Sequence, residues 1–281
     1  MKLIYRSTLT LLIAGSFYAS AQQKGDSFSS AKSSKTANLT YVHAGVNGFA
    51  SKTPSGGASG LLVDLMREFE NYVSDEYGIT ITSTYVEATN KDFKLYLEEV
   101  RKSTGGVFGL SNTSMKEERK TLFKFSPAFL NNISVLISNK SFQTLSSMDQ
   151  ISSTFASKVG YGVPSTTNYD RLTALKSSNF QSMEIVNVTS SKDILENITT
   201  NQKAFGFSDI HYYLEYLEQG KPVKRHPIGD QVGDKFGIIM PLNSDWEPVL
   251  SEFLSDYIKT AKYREMVIRN LGKGALRMIA K

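Results

Sequence analysis

Two spacings of apolar residues alternate along this chain. Short β-branched or aromatic runs are followed by longer stretches in which apolar residues recur every three or four positions. LTYVHA at 39–44 is the first predicted strand. A loop rich in Gly, Ser and Pro follows, and then Leu61, Leu62, Leu65, Met66, Phe69, Tyr72 and Val73 fall on one face of a predicted helix. Ser59 or Gly60 can open that helix and Gly78 can end it. ITITSTYVEA at 79–88 predicts a strand, DFKLYLEEVRKS at 92–103 an amphipathic helix, and GGVFGL at 105–110 a short buried strand.

The same alternation resumes after residue 157, where KVGYGV, MEIVNV and AFGF predict strands. TTNYDRLTALKSS, KDILENITTNQ and IHYYLEYLEQG predict the accompanying helices. This is the period of βαβ units, which build parallel sheets covered by helices. Two α/β blocks result, separated by the β-rich passage FLNNISVLISNK at 129–140. KFGIIMP at 235–241 predicts one more strand, and residues 246–272 are helical, with Pro248 in the first turn. Periodicity leaves open whether this last part extends the second block.

Residues 1–21, MKLIYRSTLTLLIAGSFYASA, stand apart. Lys2 and Arg6 flank an apolar run too short to span a bilayer, and Ala19-Ser20-Ala21 is a cleavage-site pattern. The segment reads as a secretory signal peptide, so the mature chain is expected to be exported and soluble. The chain has no cysteine, so no lipoprotein anchor is expected, and its length suffices for a core without disulfides. Residues 22–37, QQKGDSFSSAKSSKTA, hold one aromatic among serines and lysines and are expected to form a flexible leader. Without Lys2 and Arg6 the formal charge falls from +5 to about +3, which gives no reason to expect a nucleic-acid partner.

In open α/β sheets, ligands sit beyond the carboxyl ends of the strands. Three stretches meet that condition. Ser111, Asn112 and Ser114 follow the VFGL strand and lead to Arg119, whose fork matches a carboxylate in a bidentate manner. Glu117 and Glu118 could instead make Arg119 an ordinary surface ion pair. Ser165, Thr166 and Thr167 stand between a strand and a helix, where they could hold an anion or simply cap the helix. Asp209 ends the AFGF strand and could pair with an amine or cap the next helix.

Together and in this order, these sites resemble the extracellular solute-binding protein family 3, the periplasmic receptors for polar amino acids in ABC importers. The resemblance runs from about residue 39 to 272 and rests on SGLLVDLMREF, SMKEERKTLFKFSPAF, VGYGVPSTTNYDRL, GFSDI and KFGIIM. It implies a two-lobed α/β fold of the type II periplasmic-binding-protein class, each lobe a sheet flanked by helices. Lobe one would take residues 38–135, lobe two 136–232, and residues 233–281 would return to lobe one. The crossings would lie near 130–136 and 233–238 and form a hinge. The resemblance also implies that Arg119 grips an α-carboxylate shared with the amides of Ser114 and Thr166, beside Ser165. Ser111 and Asn112 would meet the α-ammonium, Asp209 would pair with it, and Phe49 would stack on the ligand. Several positions depart from the pattern. Ser165 stands where glycine is usual, Asn112 where a small residue is, and Pro127 comes one residue early.

The implied function is ligand capture without chemistry for an ABC permease, by a periplasmic monomer with no cofactor and no metal. His43, His211 and His226 are scattered, and HExxH, GxSxG and GxxxxGK[ST] are all missing. Two alternatives stay open: a dehydratase of the cyclohexadienyl type on the same scaffold, and a secreted sensing module for a membrane receptor.

Overall fold

The computed structural model describes residues 22–279, so the signal-peptide reading of residues 1–21 lies outside the described residues. Along the chain, helix α1 (Phe28–Ser34) precedes strand β1 (Thr36–His43) and a small hairpin, β2 (Ser51–Lys52) and β3 (Ala58–Ser59). Then follow α2 (Leu61–Tyr77), β4 (Thr80–Glu87), α3 (Phe93–Lys102), β5 (Val107–Leu110), α4 (Glu117–Lys120) and β6 (Phe123–Phe125). Local chemistry sets these bounds. Gly78 ends α2 at φ 64°, in the left-handed region, and the Asp92 side chain starts α3 by accepting from the Leu95 amide.

The next elements build a second sheet. They are β7 (Leu130–Asn139), α5 (Ile151–Thr154), β8 (Val159–Gly162), α6 (Thr167–Ser178), β9 (Glu184–Asn187), α7 (Ser191–Thr200), β10 (Ala204–Asp209), α8 (Ile210–Glu218), β11 (Val223–Arg225) and β12 (Gln231–Phe236). β13 (Ile239–Pro241), α9 (Glu247–Tyr257) and α10 (Ala261–Leu271) complete the chain's main elements. The first sheet has the order β4-β1-β5-β13-β6, with β1, β4 and β5 parallel. The second has the order β11-β7-β10-β8-β9, with β8, β9 and β10 parallel and β12 also paired to β7. Helices flank both sheets. The fold is therefore two-lobed and α/β, with a sheet in each lobe.

The chain passes between the sheets twice. Leu130 already pairs with Phe236 and Asn131 with Lys235 inside the second sheet. The first crossing thus falls in residues 126–129, ahead of the 130–136 stretch expected from sequence. The return runs from Phe236 at the end of β12 to Ile239, which pairs with Gly109 and Phe125 in the first sheet. α9 and α10 then pack on α2 in lobe one. Residues 246–272, read as one helical stretch, form two helices because the Thr260 side chain caps a new start at Ala261.

Residues 22–37 correct the expectation of a flexible leader. Asp245 binds the start of α1 through the Phe28 amide at 2.7 Å, the Ser29 amide at 2.9 Å and the Ser29 hydroxyl at 2.8 Å. Phe28 meets Trp246 and Tyr77 edge-on, with ring centroids 5.0 and 5.2 Å away. The Trp246 indole N–H donates to the Asp26 carbonyl at 2.8 Å. Composition missed this because Asp245 and Trp246 lie more than 200 positions away.

Lobe two contains a buried histidine with a consequence for acid stability. His226 Nδ1 accepts from the Leu145 amide at 3.1 Å, and its Nε2 lies 2.7 Å from the Ser138 hydroxyl. Burial, aided by Lys224, lowers its pKa from the ordinary 6.5 to about 4. Between those values the unfolded chain binds a proton here and the folded chain does not. The contribution to stability is complete above pH 6.5 and is lost as pH falls toward 4. Urea unfolding is expected to show a stability drop on the order of 2–3 kcal/mol over that window from this group. His226→Gln should flatten the slope, and an unchanged slope would contradict the assignment.

Candidate ligand-binding site

The carboxyl ends of β1, β4 and β5 in one lobe face those of β8, β9 and β10 in the other. Between them lies a cavity of about 390 Å³. Lobe one lines it with Phe93, Asn112, Ser114 and Arg119; lobe two contributes Thr166, Asn168 and Asp209. Tyr212 and Tyr216, one turn apart on α8, form an aromatic wall. The volume lies within the range of small-molecule sites.

Arg119 is buried, on the four-residue helix α4. The acids beside it pair elsewhere, Glu117 with Lys120 at 2.6 Å and Glu118 with Lys116 at 3.4 Å. Among the described residues, no carboxylate lies within salt-bridge distance of Arg119, so the surface ion-pair reading does not hold. Its Nη1 donates to the Ser114 carbonyl at 2.9 Å, and its Nη2 crosses the cleft to the Ser165 carbonyl at 2.9 Å. The Phe93 ring lies 5.4 Å from the guanidinium carbon. Desolvation lowers the Arg119 pKa, yet a guanidinium does not deprotonate in proteins. A buried cation with no protein carboxylate is costly, and it suits a site that receives an anion.

Ser165 takes φ +67°, a region that glycine occupies freely and other residues rarely do. That conformation serves its carbonyl, which faces Arg119, while the residue itself is exposed. Thr166 caps α6, its Oγ1 accepting from the Tyr169 amide at 3.1 Å and donating to the Val163 carbonyl at 2.7 Å. Thr167 lines the cavity, and its buried hydroxyl has no partner among the described residues.

Asp209 ends β10 and is buried, and among the described residues it has three amide donors and no cation. Asn132 and Asn168 donate to its Oδ1 at 2.8 and 3.0 Å, and Asn112 donates to its Oδ2 at 2.6 Å from the opposite lobe. Burial raises its pKa above the ordinary carboxylate value, while the three amides pull it down. Sequence reasoning missed Asn132 and Asn168. The polar residues Asn131, Asn132 and Ser134 that interrupt the apolar FLNNISV stretch were the available signal for Asn132, since buried amides require partners. A further cross-lobe contact joins Lys116 to Asp170 near the surface.

Three expected residues fall outside the cavity lining, the exposed Ser165 among them. Ser111 is fully buried, and its hydroxyl donates to Asn112 Oδ1 at 3.2 Å. Phe49, expected to stack on a ligand, is fully buried against His211, Phe129 and Phe236. Its amide and that of Ala50 both turn back to the Val46 carbonyl, which points the ring into the core. Phe93 occupies the cavity face instead. Among the described residues no cluster of His, Cys, Asp and Glu could hold a metal ion, and no helix is long and apolar enough to cross a membrane.

No protein-family model matches the chain, and no curated protein matches it. Solved structures do. A substrate-binding protein of an ABC uptake transporter from Streptococcus pneumoniae, with bound histidine, aligns at TM-score 0.68 and 18% identity over 89% of this chain and 98% of its own. The arginine-, lysine-, histidine-binding protein ArtJ from Geobacillus stearothermophilus aligns at 0.65 and 16%, covering 84% and 96%. A putative L-cystine ABC transporter protein from Listeria monocytogenes aligns at 0.66 and 14%, covering 85% and 98%. At these identities the likeness establishes architecture, and the chain has the two-lobed fold of the amino acid-binding proteins of ABC transporters.

Proposed function

We propose that this protein is an exported, periplasmic binding component of an ABC importer that captures an amino acid or related amine–carboxylate between its lobes, without chemistry. The observation that carries the reading is Arg119. It is a permanent cation buried at an interlobe cavity, held by two carbonyls and, among the described residues, by no carboxylate. Those two bonds use two of its five N–H donors, which leaves donors for a ligand carboxylate. Asp209 lies on the opposite lobe as the acceptor for an amine. The amino acid-binding names of the structural neighbours support the same class. A permease partner and a monomeric state belong to this proposal.

Titration calorimetry of the chain from Gln22 against the twenty common amino acids and their small derivatives is expected to show one saturable site. Binding of sugars alone would remove the reading. Affinity for an amino acid should also weaken as pH falls from neutral toward the raised pKa of Asp209, because protonation removes the charge that faces the ammonium. An affinity constant down to pH 4 would exclude Asp209 as the amine's partner.

A further inference from the structure

Asp209 already has a donor on the side from which a ligand would present its amine. A carboxylate offers about four in-plane acceptor positions. Asn132 and Asn168 take two of them on Oδ1, and both belong to the same lobe as Asp209. Asn112 is different. It follows β5 in the opposite lobe, lines the cavity, and donates to Oδ2 at 2.6 Å. The Ser111 hydroxyl donates to the other end of the same amide at 3.2 Å, which fixes the NH2 group toward Asp209.

We propose that Asn112 is a built-in stand-in for the ligand's amine, so that the site accepts small carboxylates with a neutral α-substituent as well as α-amino acids. This rests on carboxylate capture at Arg119. A site whose buried acceptor depends on the ligand for its donor rejects an analogue lacking that donor, because the acceptor is left unpaired. Here the acceptor keeps its donor. A ligand with a hydroxyl or hydrogen at the α-carbon leaves the Asn112–Asp209 bond intact. A ligand with an ammonium gains a charge–charge contact but must desolvate the ammonium and displace the Asn112 amide. The two exchanges nearly balance, and the site reads the carboxylate more strongly than the amine.

Matched pairs test this: alanine with lactate, phenylalanine with phenyllactate, arginine with argininic acid, and glutamate with glutarate. Each is titrated into the unsubstituted protein, Asn112→Ser and Asn112→Ala, with thermal unfolding to show that the variants are folded. For the pair that binds, the unsubstituted protein is expected to favour the amino acid by less than about tenfold. Both variants should raise that preference at least about tenfold, chiefly by tightening the amino acid and weakening its partner. A preference above a hundredfold in the unsubstituted protein, or one that neither folded variant changes, overturns the inference alone. If no member of any pair binds, carboxylate capture fails and the inference falls with it.

Discussion

Arg119→Ala is expected to weaken binding of the captured amino acid by roughly 30-fold to several thousand-fold, the equivalent of about 2–5 kcal/mol. The loss has two parts. The ligand carboxylate enters a site that excludes water and finds no fixed cation, and the Ser114 and Ser165 carbonyls lose the donor that joins them across the cleft. Arg119→Lys separates charge from geometry. An ammonium keeps the charge but cannot serve two carbonyls and a carboxylate from one rigid plane, so affinity should still fall substantially. Stability should move much less than affinity, since removing a desolvated cation offsets part of the cost of its lost bonds. Calorimetry beside thermal unfolding separates these quantities. Unchanged affinity in a folded Arg119→Ala protein would sink the functional assignment.

Trp246→Ala is expected to destabilise the protein by about 3–5 kcal/mol, the usual range for emptying a buried tryptophan site. Trp246 is fully buried and meets Phe28, Phe69 and Phe108 edge-on, with centroids between 5.0 and 6.3 Å. It also holds the Asp26 carbonyl, so its removal should release the N-terminal segment from lobe one. Phe28→Ala should cost about 2 kcal/mol, and the double variant less than the sum, because the two rings share one contact. As Trp246 is the only tryptophan, its emission in Phe28→Ala should shift to the red while the chain remains folded. A neutral Phe28→Ala with unshifted emission would mean that residues 22–34 do not dock in solution.

The ordering of strands and helices was legible in the sequence wherever a face is buried continuously. Leu61 to Val73 line one face of α2, and VFGL forms β5 with all four residues buried. Local chemistry also marked many ends, as with Gly78 after α2. The helix read through residues 246–272 missed its break, because Tyr263, Met266 and Val267 continue the apolar spacing past the point where Thr260 recaps the backbone. Residues 130–136, expected as the first crossing, lie wholly within β7, because strand-forming composition does not say which sheet a strand joins. That depends on long-range pairing, here Leu130 with Phe236.

At the candidate site, the sequence by itself marked Arg119, Asp209, Asn112, Ser114 and Thr166, all near the carboxyl ends of strands, where polar residues interrupt apolar runs. Tertiary structure alone decided what each of them meets. Glu117 and Glu118 neighbour Arg119 in sequence but turn to lysines, while its carbonyl partner Ser165 lies in the other lobe. Phe49 looked available beside a loop, and the turn at Val46 sent it inward, leaving Phe93 on the cavity face. The three asparagines around Asp209 come from three separate segments. Residue type and periodicity act over a few positions, so they determine elements and their polar ends. Partners for a buried charge are chosen by how separate segments pack, within a lobe and between lobes, across separations of up to 97 positions, and a local pattern does not record them.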